Sequence, residues 1–568
     1  MRDPETIWRS DYLHPGPWDQ AIEPVSMVAL FDETARRHPA RPLIDFMGRR
    51  YSYAETLDGA NRIAAGLSRL GYGAGDRIGL FLPNVPHYVA AYYGILKLGG
   101  VVVNFSPLYT VDELAHQVED SGTRLLFTLS ASALLPTALK VLDKSSLERL
   151  VVGSIAGALP TTRSILYRMF RGKEVTPRPA GDRRVTAFSG LIANDGRFDA
   201  PAIDPDRDLA LIQYTGGTTG TPKGAMLTHQ NLSANARQVA RLDPDPGQVD
   251  RVLGVLPMFH VFANTCVLNR TVVTGGEIVM LPRFDAAQAL AALQRTRATA
   301  LPGVPTMYRA LLDHPKLKDT DFSSLRFCIS GGAPLPAELK TRFEATIGSR
   351  LVEGYGLSES SGVVSCNPYG ALNKPGTIGQ PIIATRVRLV DKEDPGKPAP
   401  PGEPGEIIVA GPQIMRGYWN RPDADADVFV DDPDTGVPGR HWLRTGDVGV
   451  IDEDGFIRIV DRLKDMIAVG GFKVFPSQIE AILYHHPAVR ETLVIGVPDA
   501  YRGEVPRAYV TLHDGAAETG AVLRDWLNPQ LGKHERVDQV VVRLGLPKTM
   551  IGKLSRKDLI KEVEAEGW

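Results

Sequence analysis

The sequence predicts an α/β protein. We expect a large N-terminal domain of layered α/β subdomains with a β-rich part, followed by a small mobile C-terminal α+β domain. The first observation is length, because 568 residues exceed the roughly 100–200 residues of one domain. The second is that short apolar strands alternate with amphipathic helices as far as residue 332, which is typical of layered α/β folds. The third is a β-rich texture after residue 385 that ends in a polar stretch.

The elements of the N-terminal part follow from hydrophobic spacing. Residues 1–25 are expected to form an irregular leader. Apolar residues at helical spacing then predict a helix from Met27 to His38. Further along, strands and helices alternate, and the predicted segments are strand 77–83, helix 88–100, strand 101–107, strand 252–257, helix 285–297 and strand 325–332.

The β-rich part and the small domain lie on either side of a predicted hinge. Residues 391–405 are rich in proline, glycine and charge, which predicts an exposed turn between strands 386–390 and 406–410. A hairpin is predicted over 447–462. The predicted domains are 1–460 and 466–568, joined by the hinge 461–465. The small domain should contain, in order, helix 476–485, strands 492–497 and 507–512, helix 519–530, strand 540–544 and helix 556–565.

Composition excludes several classes of protein. The formal net charge is −2, so no global basic field indicates a nucleic-acid partner. Three cysteines without CxxC spacing are too few for a disulfide framework and do not suggest structural zinc. The N-terminus has no apolar core of a signal peptide, and no window of about 20 residues is free of charges and helix breakers. We therefore expect a cytoplasmic protein whose membrane contact, if any, is peripheral.

One basic segment stands apart from this neutral background. Residues 163–184 contain seven arginines and lysines against two acidic residues. Ile165, Leu166, Met169 and Phe170 can form one face of a short helix within the segment. A basic amphipathic helix can lie on an anionic membrane surface. A solvated loop with a small apolar cluster is the alternative, and the sequence leaves both open.

The strongest chemical motif is a glycine–threonine loop. Residues 214–224 are YTGGTTGTPKG and follow a predicted buried strand, 209–213. Glycines allow close approach to an anion, threonine hydroxyls donate hydrogen bonds and Lys223 adds positive charge, so the loop suits a polyphosphate. Its spacing differs from the Walker A motif. A generic flexible loop is the alternative interpretation, and it is a poor explanation of eleven such residues after a buried strand.

Two further segments indicate a nucleotide site only when they are considered together with the other motifs. Residues 353–359, EGYGLSE, place an aromatic ring between glycines, which suits stacking on a purine, and end in a glutamate that can bind Mg²⁺. Residues 330–335, SGGAPL, keep the backbone open, although an ordinary turn at a strand end explains them equally well.

Three more segments follow in the C-terminal half. WLRTGD at 442–447 provides a carboxylate that can accept hydrogen bonds from ribose hydroxyls. VDRLKD at 460–465 is polar, as a hinge between two domains requires. PKTMIGKLSR at 547–556 carries a lysine on a loop, where a cation can enter and leave a site. Taken singly, a surface aspartate or an exposed lysine is unremarkable.

Together these segments resemble the adenylate-forming superfamily of acyl-CoA synthetases, luciferases and peptide-synthetase adenylation domains, over about residues 25–560. The run 351–556 is most similar to bacterial long-chain fatty acid–CoA ligases, notably at 366–370 and 411–424. The resemblance implies that a carboxylic acid and ATP give an acyl-adenylate and pyrophosphate with the help of Mg²⁺. Coenzyme A then takes the acyl group after the small domain rotates.

The resemblance also implies a role for each site residue. The catalytic residues would be Lys553, Glu359 and Thr218, of which Glu359 and Thr218 would bind the metal. The nucleotide would be bound by Thr215, Gly216, Gly217, Thr218, Thr219, Gly220, Lys223, Gly331, Gly332, Ala333, Gly354, Tyr355, Gly356, Ser358, Asp447 and Arg462. In that set Tyr355 would pack on adenine and Asp447 would bind the ribose. Lys464 would be the hinge, and the path of coenzyme A would follow Gly470, Gly471, Phe472 and Lys473.

Two departures from the family pattern are visible. Ser358 replaces the usual threonine but keeps the hydroxyl. Residues 532–537, GKHERV, lack the proline and second lysine of the K-x-K-x-P motif that many relatives carry before the last strand, which bears on contacts with coenzyme A. The catalytic lysine is unaffected by either change.

The acyl pocket is the least specified site. By resemblance His260, Phe259, Val304 and Gly332 would line it, although a core histidine is an equally good interpretation of His260 alone. The surrounding segments are apolar, which favours a medium- to long-chain fatty acid. A dicarboxylic or aromatic acid, a carrier-protein acceptor in place of coenzyme A, and a non-catalytic adenylate-binding protein are the alternatives. The family also suggests a homodimer, for which the sequence names no interface.

Overall fold

The computed structural model describes residues 3–170, 174–215, 222–400, 402–431, 442–470, 472–549 and 553–567. Its α-helices are α1 Pro4–Ser10, α2 Met27–Arg37, α3 Tyr53–Arg69, α4 Pro86–Lys97, α5 Val111–Ser121, α6 Leu135–Lys144, α7 Ile155–Ala158, α8 Thr161–Phe170, α9 Phe188–Leu191, α10 His229–Ala240, α11 Val261–Ala263, α12 Arg270–Thr274, α13 Ala286–Thr296, α14 Pro305–Leu312, α15 Ala337–Ile347, α16 Pro422–Val428, α17 Pro476–Leu483, α18 Gly520–Leu527 and α19 Arg556–Glu566. Residues Asn264–Asn269 form a π-helical segment, and short 3₁₀ helices span Pro315–Asp319, Ser358–Ser360, Leu463–Asp465 and Asn528–Gln530.

The strands lie in four sheets. They are β1 Pro42–Phe46, β2 Arg49–Ser52, β3 Arg77–Leu80, β4 Val101–Asn104, β5 Leu125–Leu129, β6 Arg149–Gly153, β7 Val185–Ala187, β8 Leu209–Tyr214, β9 Gly224–Thr228, β10 Arg251–Gly254, β11 Glu277–Met280, β12 Ala300–Gly303, β13 Phe327–Ser330, β14 Arg350–Tyr355, β15 Ser365–Cys366, β16 Gln380–Pro381, β17 Arg386–Val390, β18 Gly405–Ala410, β19 Gly417–Tyr418, β20 Phe429–Val430, β21 Trp442–Ile451, β22 Ile457–Arg462, β23 Ile467–Val469, β24 Phe472–Val474, β25 Val489–Asp499, β26 Gly503–Leu512 and β27 Val540–Val542.

Two large, mostly parallel sheets form the body of the protein. The first has the strand order β16-β15-β14-β13-β12-β10-β11-β1-β2, and the second has the order β19-β9-β8-β4-β3-β5-β6-β7. In the first sheet β1, β11, β10, β12, β13 and β14 run parallel. In the second, β8, β4, β3, β5, β6 and β7 do so. One continuous apolar core joins residues of both sheets to helices α3 and α4. The predicted α/β class is therefore confirmed.

The β-rich part and the C-terminal domain have sheets of their own. Strands β17, β18, β21, β20 and β22 form an antiparallel sheet, in which β21 and β22 are the predicted hairpin. After the 3₁₀ helix Leu463–Asp465, a new sheet of β24, β23, β26, β25 and β27 begins at Ile467. It has a separate apolar core with α17 and α18. The change of sheet falls within two residues of the predicted hinge.

The N-terminal leader is the main correction to the predicted elements. Residues 1–25 were expected to be irregular, but Pro4–Ser10 forms a helix capped by the Asp3 carboxylate, which accepts from the Thr6 amide. Trp8 is fully buried and donates its indole N–H to the Gly455 carbonyl at 2.9 Å. The helix exists because its apolar face packs against a hairpin far away in sequence, which local composition does not reveal.

A buried ionic cluster lies at the amino ends of β10, β12 and β13. The Arg270 guanidinium is 2.7 Å from Asp250 and 3.6 Å from Asp243, and Arg326 is 2.8 Å from each carboxylate. Because Arg270 and both carboxylates are almost fully buried, each charge depends on its partners for compensation.

In the described part of the chain, no helix is both long and apolar enough to cross a membrane.

Replacing Arg270 with alanine should lower the free energy of unfolding by about 3–5 kcal/mol, because two carboxylates would lose a buried partner. Urea unfolding, followed through the transition of the large domain, measures the change. Arg207→Ala is the matched control, since Arg207 is exposed and lies 3.8 Å from Asp204. That substitution should change stability by less than about 1 kcal/mol. Equal effects of the two substitutions would contradict a stabilising role for the buried cluster.

Candidate active site

The predicted nucleotide segments meet at one edge of the two large sheets. Strands β12, β13 and β14 run parallel, and their carboxyl ends lead to Val304, Gly331 and Gly356 respectively. In the second sheet, the carboxyl end of β8 leads to Thr215 and the glycine–threonine loop. A crevice at the carboxyl ends of parallel strands is the usual ligand site of open α/β sheets.

Three glycines at this edge occupy positions where a side chain would collide. A Cβ atom at Gly331 would lie 2.9 Å from the Phe262 ring, and one at Gly356 would lie 2.3 Å from the Gly362 carbonyl oxygen. Gly332 has a φ of +79°, and a Cβ there would lie 2.6 Å from Cε of Lys553. The glycines therefore keep the crevice open and let the C-terminal lysine approach the backbone.

The Asp447 carboxylate accepts hydrogen bonds from two other predicted nucleotide residues. Asp447 is 2% exposed and lies opposite Arg462 in the β21–β22 hairpin. Its Oδ1 accepts from Arg462 Nε at 2.8 Å, and its Oδ2 accepts from the Tyr355 hydroxyl. Burial, followed by the charge of Asp447, raises the pKa of Tyr355 well above its ordinary value, so the phenol stays a donor. The arrangement fixes Tyr355 beside the carboxylate.

Lys553 reaches this cluster from the C-terminal domain. Its Nζ would lie 3.1 Å from a Cβ atom at Gly332, which places the amine at the crevice floor. Burial and then the positive charge of Arg462 lower the pKa of Lys553 to about 8, although Asp447 opposes the shift. The structure thus brings together Tyr355, Asp447, Arg462, Lys553 and Gly332.

A small apolar pocket opens beside Lys553. It is lined by Leu256, Pro257, His260, Phe262, Ala263, Val304 and Gly332. Burial and the nearby Lys553 charge lower the pKa of His260 to about 3, so the ring is neutral. Its Nδ1 accepts from the Phe262 amide at 3.3 Å, which leaves the proton on Nε2. Of the predicted acyl residues, Phe259 does not line this pocket and packs against the main core instead.

A second cavity has a mostly apolar lining. It is lined by Val239, Leu242, Asp243, Cys266, Arg270, Ala300, Pro302, Phe327, Ile329 and Tyr369. The linings of the two cavities are close along the chain, because Pro302 and Val304 lie two residues apart on one strand and its extension, while Ala263 and Cys266 lie about one helical turn apart. The Phe262 ring, packed against Gly331, lies at the inner pocket wall.

Tyr418 is a site residue that the sequence interpretation did not assign. Its hydroxyl donates to Glu359 Oε1 at 2.7 Å, and the Lys223 ammonium lies 5.0 Å from its ring centroid. The Thr215 amide donates to the Lys223 carbonyl at 2.9 Å, which closes the base of the glycine–threonine loop. Tyr418 thus links the loop to the candidate metal ligand. It lies within the segment 411–424 that carried the resemblance, but no local signal gives it this partner.

Some predicted residues cannot be placed. Gly216, Gly217, Thr218, Thr219 and Gly220 lie outside the described residues, and so does Gly471. The backbone of Phe472 belongs to β24. The other loop residues lie at the same edge as the cluster: Gly354 and Tyr355 end β14, Ser358 begins a 3₁₀ helix and Ala333 follows Gly332.

The predicted hinge residue, Lys464, closely follows the crevice residue Arg462, and Lys473 of the predicted coenzyme A path contacts the β-rich sheet. Lys464 is the central residue of the 3₁₀ helix between the two domains. Lys473 forms an ion pair with Glu393 in the exposed turn of the β-rich sheet. Chain neighbours aside, no described residue places a heavy atom within 4 Å of a Cβ built at Gly470. The lysine segment therefore contacts the crevice at Gly332, while the Lys473 side chain contacts the β-rich sheet.

A half-buried arginine links the lysine segment to the hinge. Arg556, three residues after Lys553, donates to Asp465 at 2.5 Å and to Glu480 at 2.6 Å. The charges of these two carboxylates raise the pKa of Arg556 above its ordinary value despite its burial. The position of Lys553 is thus coupled to the residue that follows Lys464.

Comparison with known proteins places this geometry in a family. Residues 31–419 match the model of the AMP-binding enzyme, and 478–553 match that of the AMP-binding enzyme C-terminal domain. The chain belongs to the AMP-binding enzyme family. Lys553 is the last residue of the second match, whereas Lys223 and Tyr418 lie in the first. The candidate site therefore contains residues of both family domains.

Members of the AMP-binding enzyme family match nearly the whole chain. The long-chain-fatty-acid–CoA ligase of Bacillus subtilis (strain 168) is 39% identical over 558 residues, which is 98% of this chain and of the relative. The ligase of the same name from Escherichia coli O6:H1 is 37% identical over 551 residues, 95% of each. The crystal structure of ATP-bound MatB from Rhodopseudomonas palustris is 29% identical, with a TM-score of 0.81 over 95% of this chain and 99% of that one.

Proposed function

We propose that this protein is an ATP-dependent acyl-CoA ligase, an acid–thiol ligase whose substrate is a medium- to long-chain fatty acid. The observation that carries the proposal is the position of Lys553, whose amine lies beside Gly332 between a buried carboxylate cluster and an apolar pocket. The names of the two most similar relatives reported above support the same activity.

The first half-reaction would join the acid to the α-phosphate of ATP. A fatty carboxylate is a poor electrophile because it is already negative, so it acts as the nucleophile and displaces pyrophosphate. Lys553 would offset the charge that the carboxylate and the α-phosphate bring together. The mixed anhydride that forms carries AMP as a good leaving group.

The nucleotide would lie across the carboxyl edge of the sheets. The ring of Tyr355 would pack on adenine and the Asp447 carboxylate would accept from the ribose hydroxyls. Residues 215–223 would hold the β- and γ-phosphates at the end of β8. The half-buried position of Tyr355 leaves part of its ring uncovered for such contact.

Magnesium would be held by Glu359, with the Thr218 hydroxyl as a second ligand. The donor set fits, because Glu359 is a half-buried carboxylate near the phosphate loop and is oriented by the Tyr418 hydroxyl. Magnesium commonly takes one or two carboxylates and completes its shell with phosphate oxygens and water. When bound, the ion would supply charge neutralisation at the phosphates.

The second half-reaction would follow rotation of the C-terminal domain about Lys464. Residues 470–473 would replace Lys553 and open a path for coenzyme A, whose thiol attacks the acyl carbonyl and releases AMP. Free thiols titrate near pH 8.5, so orientation beside the carbonyl contributes more than a dedicated base. The hairpin is held outside by Lys473 and Glu393, an exposed ion pair that is weak enough to break.

The acyl tail would extend from the small pocket into the deeper cavity. Val239, Leu242, Cys266, Phe327 and Ile329 give that cavity an apolar lining, which suits an alkyl chain once the Phe262 ring moves aside. The cation among its lining residues, Arg270, is already paired with Asp250 at 2.7 Å. This pairing favours a monocarboxylic over a dicarboxylic acid.

The remaining alternatives concern the acceptor and the acid. A carrier protein could replace coenzyme A, and the pocket walls could accommodate an aromatic acid. A non-catalytic role is disfavoured by Lys553, which is brought to the site from a separate domain.

We also propose that the enzyme works in the cytoplasm and makes peripheral contact with the inner face of the membrane through residues 163–184. A homodimer stays a prediction.

The proposal is tested by pyrophosphate release with ATP and Mg²⁺ across straight-chain acids from acetate to stearate, with and without coenzyme A. Sustained turnover with long acids only when coenzyme A is present is the expected result. Release that stops at about one equivalent per enzyme, unchanged by coenzyme A, would point to a carrier-protein acceptor. Turnover with benzoate or cinnamate but not with fatty acids would replace the fatty acid by an aromatic acid.

Substituting Cys266 with phenylalanine should shorten the accepted chain, because the larger ring fills the deeper cavity. We expect kcat/KM for palmitate to fall by about tenfold or more, while that for hexanoate changes by less than about threefold. Cys266→Ala, which adds no volume, should keep the wild-type order of chain lengths. An equal loss with every acid would indicate a general packing defect and contradict the assigned tail path.

The rate of adenylate formation should fall as pH rises above about 8. A lysine whose pKa is lowered to about 8 is charged below that pH and neutral above it, so the charge opposite the α-phosphate disappears. The measurement is kcat/KM for ATP in pyrophosphate release between pH 6.5 and 9.5. This range extends about one and a half pH units on each side of the Lys553 pKa.

Two variants identify the titrating group. Lys553→Arg keeps its charge throughout this range and should show no alkaline fall, although its rate will be lower. Lys553→Ala should still bind ATP, and its residual rate of pyrophosphate release should not depend on pH. Lys548→Ala is the matched control, because Lys548 lies in the same segment but pairs with Glu491 at 2.6 Å. An unchanged alkaline fall in the Lys553 variants would assign the titration to another group.

A further inference from the structure

An aspartate on helix α5 is connected to both ends of the glycine–threonine loop. The loop 215–223 joins β8 to β9, and the two strands pair at its base through Tyr214 and Gly224. The Tyr214 hydroxyl donates to Asp120 Oδ2 at 2.6 Å. The Trp419 indole N–H donates to the Asp120 carbonyl at 3.1 Å, and the Trp419 amide donates to the Gly224 carbonyl at 2.8 Å. Asp120 thus contacts the residue before the loop directly and the residue after it through one tryptophan.

The same aspartate also holds the segment that carries Tyr418. Its Oδ1 accepts from the Arg421 guanidinium, and the Trp419 that donates to its carbonyl directly follows Tyr418. The Tyr418 hydroxyl donates in turn to the candidate metal ligand Glu359 at 2.7 Å. Asp120 therefore supports both the loop and, through this segment, the carboxylate that would hold Mg²⁺.

These partners cover the Asp120 side chain almost completely. It is 9% exposed, whereas the side chain of Arg421 is 39% exposed. Burial, followed by the hydrogen bond to Asp120 and its charge, raises the pKa of Tyr214 above its ordinary value, so the phenol stays a donor. Hydrogen bonds to an ionised acceptor are the stronger kind. If the carboxylate were removed, Tyr214 and Arg421 would both lose a charged acceptor.

The stability of helix α5 does not explain an acidic residue at this position. Asp120 is the last residue but one of the helix, and the carboxyl end of a helix disfavours negative charge. Asp112, in contrast, lies in the first turn, where negative charge is favoured, and is exposed beside Lys144. The side-chain partners of Asp120, Tyr214 and Arg421, both lie outside the helix. The role of Asp120 is therefore to be sought in the elements that it contacts.

We propose that Asp120 is a positioning residue that fixes both ends of the glycine–threonine loop and, through the Tyr418 segment, the orientation of Glu359. It thereby sets the site for the β- and γ-phosphates of ATP and their Mg²⁺ without touching either. This inference rests on the proposed function for the identity of the nucleotide. The nucleoside would be held elsewhere, by Tyr355 and Asp447, so the binding of AMP should not depend on Asp120.

A glycine-rich loop depends on the positions of its ends. Three of the nine residues 215–223 are glycines, which restrict the backbone least and offer no side chain for packing. The loop must nevertheless present its amides and hydroxyls at hydrogen-bond distance from the phosphates. A displacement of about 1 Å can cost on the order of a hundredfold in such an arrangement. A side chain that fixes the strand ends therefore affects phosphate binding from outside the site.

The test is the binding of ATP with Mg²⁺, and separately of AMP, to the full chain, measured by isothermal titration calorimetry. The variants are Asp120→Ala, Tyr214→Phe, which removes only the hydroxyl, and the double variant. Because AMP lacks the β- and γ-phosphates, its binding reports whether the fold and the nucleoside side of the site are intact. Asp112→Asn is the matched control, since Asp112 lies on the same helix but is exposed.

Asp120→Ala should raise the Kd for ATP by about tenfold or more and leave the Kd for AMP within about twofold of the wild-type value. Tyr214→Phe should raise the Kd for ATP by about threefold, also without affecting AMP. The double variant should bind ATP as weakly as Asp120→Ala, because both substitutions remove the same contact. Asp112→Asn should bind both nucleotides as the wild type does.

Unchanged ATP binding in Asp120→Ala would overturn the inference, and so would an equal loss of ATP and AMP binding or the same loss in Asp112→Asn. Strictly additive losses in the double variant would contradict the connection through Tyr214. If Asp120→Ala does not fold, Tyr214→Phe decides, because unchanged ATP binding in that variant overturns the inference and a selective loss supports it. A wild-type enzyme that binds neither nucleotide would overturn the proposed function and this inference with it, a result distinct from the others.

Discussion

The buried Asp447 carboxylate is the point on which the active site depends. It lies in a hairpin of the β-rich sheet, yet it accepts from Tyr355 at the end of a parallel strand and from Arg462 at the start of the hinge. Its negative charge also opposes the loss of the proton from Lys553. Three parts of the chain that are far apart in sequence thus converge on one side chain. A carboxylate so placed costs free energy unless all its partners are present, which makes the cluster act as a unit.

The contacts between the two domains involve both exposed and buried groups. Across the boundary the described polar contacts include the Lys473–Glu393 pair and a hydrogen bond from Arg309 to the Arg490 carbonyl. The Ser477 amide also donates to the buried Asp461 carboxylate at 2.9 Å, beside the predicted hinge. Within the C-terminal domain and hinge, the half-buried Arg556 pairs with two carboxylates. Exposed pairs contribute little and break easily, whereas buried contacts persist. A rotation would therefore break the exposed pair more easily than the contact beside the hinge.

The sequence predicted the fold class and the order of elements because periodicity and buried strands are local signals. The helices at Met27–Arg37 and Ala286–Thr296 end within one residue of their predicted bounds. The predicted helix 519–530 is α-helical only to Leu527, because Pro529 has no N–H with which to continue the helical hydrogen bonds. Trp8 was missed because its burial depends on Gly455, more than four hundred residues away.

For the site, motif resemblance singled out Lys553, which the structure brings to Gly332. It was insufficient where the role depends on a distant neighbour. Tyr418 orients Glu359 through a contact that no spacing encodes, and Phe262, which the sequence interpretation did not assign, is among the residues that line the pocket.

The burial of all three cysteines has a chemical consequence for an enzyme of this type. An acyl-adenylate reacts with any accessible thiolate, and Cys266 lies in the wall of the cavity assigned to the acyl tail. Burial raises the pKa of Cys266 to about 12 and that of Cys328 to about 12, and it raises the pKa of Cys366 well above its ordinary value. The three cysteine thiols therefore stay protonated and weakly nucleophilic. The activated acyl group is thus not lost to these thiols and is left for a thiol that arrives from outside.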